Sequence, residues 1–249
     1  MFKKLETSQQ KLKIFTYAPS GAGKTSLIKT LKGKVACISA ESGLLSISSC
    51  ADNIDVLDLN EAIAGKLPTC EQKLAKLRES YKYLLTPEAK KTYSWVAIDS
   101  LSEIAQIVLE CAKNKYTDKK DTFNVWNDYS ATLLEIVKVF RDLDYNVYIT
   151  SLSETTKDEN GARFNDVMIQ TKLAQQIPAF FDEVFFIELT VNEKGEAKRR
   201  LITSAMSRML TKDRSGKLGV VEDCNLGLIE EKILGQKVET ISALESVTK

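Results

Sequence analysis

The segment Ala18-Pro-Ser-Gly-Ala-Gly-Lys-Thr25 constrains the fold of this chain more than any other part of the sequence. It follows the apolar run Leu12 to Tyr17, typical of a buried strand, and precedes a helical pattern that begins near Lys24. Glycine readily adopts positive φ angles, so Gly21 and Gly23 let the loop turn tightly with its amide groups pointing inward. Strand, glycine-rich loop and helix in this order predict a Walker A phosphate loop, with alanine in place of the first glycine.

The members of this loop have distinct expected roles. Backbone amides and the start of the helix favour anions, and the Lys24 ammonium is expected to reach the β and γ phosphates of a nucleotide. The Thr25 hydroxyl is the expected ligand of Mg²⁺. ATP and Mg²⁺ are therefore the predicted cofactors. The predicted nucleotide-binding residues of the loop are Ser20, Gly21, Ala22, Gly23, Lys24, Thr25 and Ser26.

An acidic residue ends a later apolar strand, Trp95 to Ile98. Ligands bind at the carboxyl ends of strands in open α/β sheets, so Asp99 is predicted to be the Walker B acid that holds Mg²⁺. A helix follows, and Asp99 or Ser100 could instead cap its N-terminus; both roles are compatible.

The residue after Asp99 is a serine, whereas many P-loop ATPases carry their catalytic glutamate there. The base must then come from another strand. Glu41 follows the second predicted strand, Val35 to Ser39, whose end lies beside the phosphate loop in such a sheet. Glu41 is therefore the predicted general base, which would orient and deprotonate the attacking water. The alternative is a surface glutamate in a loop.

Apolar runs rich in β-formers alternate with longer helical patterns along the chain, which predicts an α/β fold with a mostly parallel central sheet flanked by helices. Glu183 to Thr190 and Arg199 to Ile202 flank Asn-Glu-Lys-Gly and predict a C-terminal antiparallel hairpin. We expect a core over residues 1–225 and a helical tail over 226–249, with a weak amphipathic helix at Glu239 to Val247.

Composition excludes several classes of protein. There is no histidine, which removes histidine-based catalysis and metal ligation, and the net charge of +1 indicates no strong overall attraction to a polyanion. The five cysteines are scattered without a Cys-x-x-Cys pair, which argues against a zinc site and a disulfide framework. No apolar stretch approaches the ~18 residues of a membrane span, so we expect no membrane partner and a cytoplasmic protein.

Taken together, these motifs resemble those of the RecA superfamily. Ser39-Ala-Glu41 is similar to the segment that carries the catalytic glutamate in that superfamily, and Lys212-Asp-Arg214 is similar to a Lys-x-Arg pair of related hexameric helicases. The resemblance implies a RecA-like ATPase in which Lys212 and Arg214 act on the ATP of a neighbouring subunit in a ring or filament. The motif order over residues 12 to 220 most resembles small phage-encoded RecA-like proteins linked to single-strand annealing and recombination.

Two further predictions concern ligands. The strand Val147 to Thr150 ends beside Ser151, whose hydroxyl, like that of Thr150, could sense the γ phosphate or satisfy backbone groups at the strand end. The long polar stretch Ser153 to Lys172 is predicted to be a loop, at the position where the resemblance implies contact with single-stranded DNA. Its candidate DNA-binding residues are Lys157, Arg163 and Lys172, and a second candidate segment is Lys113 to Lys120 with Phe123 and Trp126.

Three functions follow in order of preference. The first is an ATPase of recombination or single-strand annealing that single-stranded DNA stimulates. The second is a nucleotide-dependent binding module or loader with slow hydrolysis. The third is a small-molecule kinase, which the hairpin and the late Lys-x-Arg segment fit poorly.

Overall fold

The protein is seen here as a computed structural model, which describes residues 11–41, 43–157, 161, 163–170, 172–191, 195–204 and 209–235. One mixed sheet with parallel central strands forms its centre, in the order β10-β8-β7-β1-β5-β4-β2-β3 once each strand is numbered along the chain. The strands are β1 (Lys13–Ala18), β2 (Val35–Ser39), β3 (Ile54–Asp58), β4 (Trp95–Asp99), β5 (Asn146–Lys157), β6 (Arg163–Val167), β7 (Glu183–Val191), β8 (Ala197–Ile202), β9 (Lys212–Asp213) and β10 (Val221–Asp223).

Helices cover both faces of this sheet. The helices are α1 (Lys24–Leu27), α2 (Cys70–Leu84), α3 (Pro87–Thr92), α4 (Leu101–Lys115), α5 (Thr122–Arg141), α6 (Leu173–Gln176) and α7 (Leu226–Leu234). The apolar residues of α2, α4 and α5 form one core cluster with the sheet, and those of α1 and α7 form another. The predicted α/β architecture, a mostly parallel sheet between helices, is confirmed.

The central strands are buried on both sides, which their sequences explain. All five residues of β4 are buried, in keeping with a short run of bulky apolar side chains that has no exposed face. Parallel pairing then brings the carboxyl ends of the strands together at one edge. Ser39 of β2 lies beside Asp99 of β4, and Ala18 of β1 lies beside Leu152 of β5. The candidate site residues that follow these strands therefore meet at this edge.

The predicted antiparallel hairpin is also confirmed. Strands β7 and β8 pair from Val191 opposite Ala197 to Phe186 opposite Ile202. In β8 the side chain of Leu201 packs in the core cluster that contains α1, whereas that of Ile202 packs in the other cluster. Because side chains alternate along a strand, Arg199 lies on the same sheet face as Leu201 and α1.

The stretch Ser153 to Lys172 was predicted to be a loop, and this prediction is wrong. Strand β5 continues to Lys157 and pairs with β6 in antiparallel register, from Ser153 opposite Val167 to Lys157 opposite Arg163. Hydrogen bonds between polar side chains join the two strands: Thr155 to Asn165 at 3.2 Å and Thr156 to Asp166 at 2.8 Å. The prediction failed because the residues of this β5–β6 hairpin are mostly polar, so its strands lack the regular apolar alternation by which half-buried strands are recognised.

The C-terminal part of the described chain packs against the core. Leu226, Ile229 and Ile233 of α7 are buried in the cluster that contains α1. The predicted helix at Glu239 to Val247 lies outside the described residues, and the division of the chain at residue 225 stays a prediction. In the part of the chain that the structure describes, no helix combines the length and apolar character needed to cross a membrane.

Candidate nucleotide-binding site

The phosphate loop connects β1 to α1 and has the geometry that its glycines predict. Gly21 and Gly23 have φ angles of 75° and 105°, in the left-handed region that favours glycine. Lys24 is 5% exposed, and its Nζ donates hydrogen bonds of 3.0 Å to the carbonyl oxygens of Ala18 and Pro19. Of the other predicted loop residues Ser20 is exposed, Ala22 is buried and Ser26 is half-buried.

Burial lowers the pKa of Lys24, while the nearby carboxylates of Glu41 and Asp99 act in the opposite direction. The ammonium therefore lies in a partly desolvated pocket between two acids and the underside of the loop. A phosphate anion placed there would interact with it more strongly than in water, because the local dielectric constant is lower.

Thr25 and Asp99 meet at the centre of the site. The Thr25 hydroxyl donates to Asp99 Oδ2 at 2.6 Å, and the Thr150 hydroxyl donates to Asp99 Oδ1. Asp99 is 2% exposed, so both carboxylate oxygens are held in fixed positions. A hydroxyl and a buried carboxylate side by side are hard oxygen ligands, which suit Mg²⁺. The residues present thus fit the predicted metal site.

The capping alternative for Asp99 finds no support in this geometry. Ser100 is the N-cap residue of α4, and its side chain makes no capping hydrogen bond to the helix. Instead the Ser100 hydroxyl donates a short hydrogen bond to Glu41 Oε1. The peptide bond between Asp99 and Ser100 is cis.

Glu41 reaches the same place from β2. The amide of Ala40 donates to the Asp99 carbonyl oxygen at 2.7 Å, which extends the pairing of β2 and β4 by one residue and sets the position of the next side chain. Glu41 is exposed, and its carboxylate is close enough to act electrostatically on Lys24. The structure therefore brings together the phosphate loop, the predicted Walker B acid Asp99 and the predicted base Glu41.

Arg199 is a further member of the site that the motif analysis did not assign. A β carbon built on Gly23 would lie 3.3 Å from both Cδ and Nε of Arg199, so this side chain lies directly against the phosphate loop. Among the described residues no ion-pair or hydrogen-bond partner of Arg199 is found. The sequence did carry one signal for this position. Side chains alternate between the two faces of β8, so Arg199 lies on the same face as the buried Leu201, two residues further along.

Lys212 and Arg214 lie elsewhere in the same chain. Lys212 of β9 pairs with Val184, whose neighbour on β1 is Phe15, and the Arg214 amide bonds to the carbonyl of Asp182 just before β7. These positions are towards the amino-terminal end of β1, away from the phosphate loop that follows its carboxyl end. The exposed Arg214 guanidinium forms an ion pair of 2.6 Å with Asp182, and Lys212 Nζ donates to the Ala179 carbonyl at 3.2 Å.

Ser151 is fully buried and forms a hydrogen bond of 2.8 Å with Ser102 of α4. Its backbone neighbour on β1 is Tyr17, whose side chain packs in the core cluster that does not contain α1. The Ser151 hydroxyl is thus on the sheet face opposite α1. Thr150, the other hydroxyl considered for sensing phosphate, contacts Asp99 instead.

The candidate DNA-binding residues stand on or near the β5–β6 hairpin, which projects beyond the carboxyl ends of β1 and β4. Lys157 and Arg163 occupy directly opposed positions in the hairpin, and Lys172 is exposed just before α6. In the second candidate segment Phe123 is 75% exposed, whereas Trp126 packs edge-to-face on the buried Tyr129. Trp126 is half-buried and packs against the core.

Comparison with known proteins adds the family. A model of the AAA domain matches residues 10–215, which is most of the chain. The chain belongs to the AAA-domain family. This AAA-domain protein therefore comes from a family of P-loop ATPases, which bind ATP with Mg²⁺. Its α/β architecture, with a glycine-rich loop between a parallel strand and a helix, agrees with that membership.

Among solved structures, one similar to this AAA-domain protein is a KaiC-like protein from the hyperthermophilic archaeon Pyrococcus horikoshii. The two chains are 15% identical with a TM-score of 0.41, and the match covers 80% of this chain and 82% of the other. No curated protein matches the chain.

Proposed function

We propose that this protein hydrolyses ATP. The observation that carries the proposal is the meeting of Thr25 and Asp99 at 2.6 Å, directly beside Lys24 and the glycine-rich loop. The loop amides and Lys24 would bind the β and γ phosphates, and Thr25 and Asp99 would hold Mg²⁺, which would neutralise charge on those phosphates. Glu41 lies next to this pair, where a water that attacks the γ phosphate would need its base.

Ser100 has a positioning role in this scheme. Its hydroxyl donates to one oxygen of Glu41 and leaves the other oxygen available for the attacking water. The carboxylate is thereby held in one orientation before the substrate binds. Such preorganisation lowers the barrier because the base does not have to be ordered during the reaction.

Arg199 is proposed to bind the phosphates within the same chain. Its guanidinium lies against Gly23 without an acidic partner among the described residues, so an arriving triphosphate would meet a second cation besides Lys24. Arginine suits this role because its planar fork donates to two phosphate oxygens at once.

The decisive experiment compares ATP binding with phosphate release in two variants. Lys24→Ala is expected to abolish tight Mg·ATP binding. Glu41→Gln is expected to retain binding but lower kcat by about 10²- to 10⁴-fold, the range of general base catalysis. Glu135→Gln, an exposed glutamate of α5, is the matched control and should behave as the unmodified protein. Unchanged turnover in Glu41→Gln would favour a binding module in which Glu41 is not the base.

We further propose that single-stranded DNA binds at the β5–β6 hairpin and stimulates hydrolysis, in the manner of an enzyme of recombination or annealing. Lys157 and Arg163 are paired in the backbone register of the hairpin, and lysine and arginine are the residue types that bind nucleic-acid phosphates. The hairpin also begins at the edge of the sheet where the nucleotide site lies, so DNA bound to the hairpin could influence the γ phosphate.

This proposal is tested with the ATPase assay and fluorescence anisotropy at low salt. Single-stranded DNA is expected to raise phosphate release, and Lys157→Ala to weaken binding and reduce the salt slope of log K by about 1. Lys82→Ala, an exposed lysine at the end of α2, is the control. Phosphate release that does not change with DNA would refute the stimulation, and equal DNA affinity of the two variants would refute the hairpin as the binding site.

A further inference from the structure

Two cysteines that are far apart in sequence meet where α2 begins and α4 ends. The sulfur atoms of Cys70 and Cys111 and a carboxylate oxygen of Glu71 all lie within 4.8 Å of one another. Cys70 is 1% exposed, Cys111 is half-buried and Glu71 is exposed, so the group reaches from the core to the surface. The scattered cysteine spacing gave no indication of this cluster.

The spacing of these atoms suits a thiophilic cation. Two thiolates on one tetrahedral zinc ion stand roughly 3.8 Å apart, because each Zn–S bond is ~2.3 Å long. Three protein ligands, two sulfurs and a carboxylate, leave a fourth position for water, as in open zinc sites. The amide of Asn114 also donates to Cys70 Sγ at 3.5 Å, the kind of outer hydrogen bond that orients a metal ligand.

A cavity beside the cluster gives an ion access to the three side chains. This cavity of about 420 Å³ is lined by Glu71, Cys111 and Asn114. Its wall also carries two cations, Arg78 and Lys115, of which Lys115 is paired with Asp128 at 3.2 Å.

We propose that Cys70, Glu71 and Cys111 form a binding site for a thiophilic divalent cation of the zinc class. The site joins α2 to α4 on the sheet face opposite α1, so it is separate from the Mg²⁺ site at Thr25 and Asp99. An ion there would cross-link the two helices and stabilise the folded state, because the unfolded chain does not hold the three ligands together.

The test uses the full chain, reduced and with its five free thiols counted, and Co²⁺ as the probe. We expect thiolate-to-cobalt charge-transfer absorption that saturates at one ion per chain and is displaced by Zn²⁺. Cys70→Ser and Cys111→Ser should each abolish it, whereas Asn114→Ala should weaken Co²⁺ binding at least about tenfold. Cys50→Ser and Cys224→Ser are the matched controls and should retain the absorption.

A second readout applies if Cys70→Ser does not fold, since that residue is buried. In the unmodified protein Zn²⁺ should slow alkylation of Cys111 but leave that of Cys50 unchanged. Asp99→Asn removes a ligand of the nucleotide-site metal and should keep the thiolate-to-cobalt absorption of the unmodified protein. This separates the cluster from the nucleotide site, because oxygen ligands alone give no such absorption. No charge-transfer absorption in the reduced protein, or its persistence in Cys111→Ser, overturns the proposal.

Discussion

The hydroxyl of Ser100 donates a hydrogen bond to Oε1 of Glu41, a residue 59 positions earlier in the chain. The serine thus follows the predicted Walker B acid and contacts the candidate base, which follows a different strand. Removing this contact should leave the phosphate loop intact while it frees the carboxylate to rotate.

Ser100→Ala should therefore lower kcat for ATP by about 10- to 100-fold, as expected from losing a hydrogen bond to a charged group worth ~1.5–3 kcal/mol. KM should change little, since Lys24 and the loop amides are untouched. Steady-state kinetics check this, with Ser100→Thr as the conservative variant that restores the hydroxyl. An equal fall in kcat for Ser100→Thr and Ser100→Ala would contradict a positioning role for the hydroxyl.

Arg199→Ala should weaken ATP binding by about 10- to 100-fold, because a charge-assisted hydrogen bond contributes ~1.5–3 kcal/mol. Calorimetric titration with a non-hydrolysable ATP analogue measures the change. Arg200→Ala is the matched control, since this neighbouring arginine lies on the opposite face of β8 and is also exposed. Equal affinities for the two variants would mean that Arg199 lies on the loop without binding phosphate.

Arg214→Ala should lower kcat by about 10³-fold if the arginine acts on the ATP of a neighbouring subunit. The exposed ion pair with Asp182 contributes less than about 1 kcal/mol, so the free energy of unfolding should barely change. Mixing Arg214→Ala with Lys24→Ala should then restore activity, because one subunit supplies the arginine and the other the intact nucleotide site.

The control for this mixture is Lys24→Ala with Glu41→Gln. Both variants lack a complete nucleotide site and keep Arg214, so this mixture should stay inactive. If the mixture of Arg214→Ala and Lys24→Ala stays inactive under conditions where the subunits exchange, Arg214 does not act on the ATP of a neighbouring subunit.

Protonation of Glu183 should make the free energy of unfolding depend on pH. Burial and the neighbouring Asp213 raise the pKa of this carboxyl from 4.5 to about 8. Between these values the folded protein keeps the proton and the unfolded chain loses it, so the free energy of unfolding falls as pH rises and levels off above about 8. Urea unfolding at several pH values should show a smaller fall in the free energy of unfolding for Glu183→Gln than for the unmodified protein. Glu188→Gln, on the same strand, should show the same fall as the unmodified protein.

The sequence alone determined those parts of the site that depend on local order. The phosphate loop is specified by the segment Ala18–Thr25 together with the strand before it and the helix after it. The apolar run of β4 indicates a buried strand, and Asp99 is the acidic residue at its end. The sequence placed Glu41 near the phosphate loop because it follows β2 and the carboxyl ends of parallel strands converge; its role as base stays a prediction. The β5–β6 hairpin was missed, since its mostly polar strands carry no regular apolar alternation.

Contacts between distant segments were decided by the tertiary structure. The Ser100 hydroxyl on Glu41, the guanidinium of Arg199 on Gly23, and Cys70 beside Cys111 each depend on how strands are registered or helices packed. Sequence periodicity shows which face of an element is buried, but it does not show which other element covers that face. Only the folded sheet and its helices establish those neighbours, because packing the whole core selects one arrangement of elements.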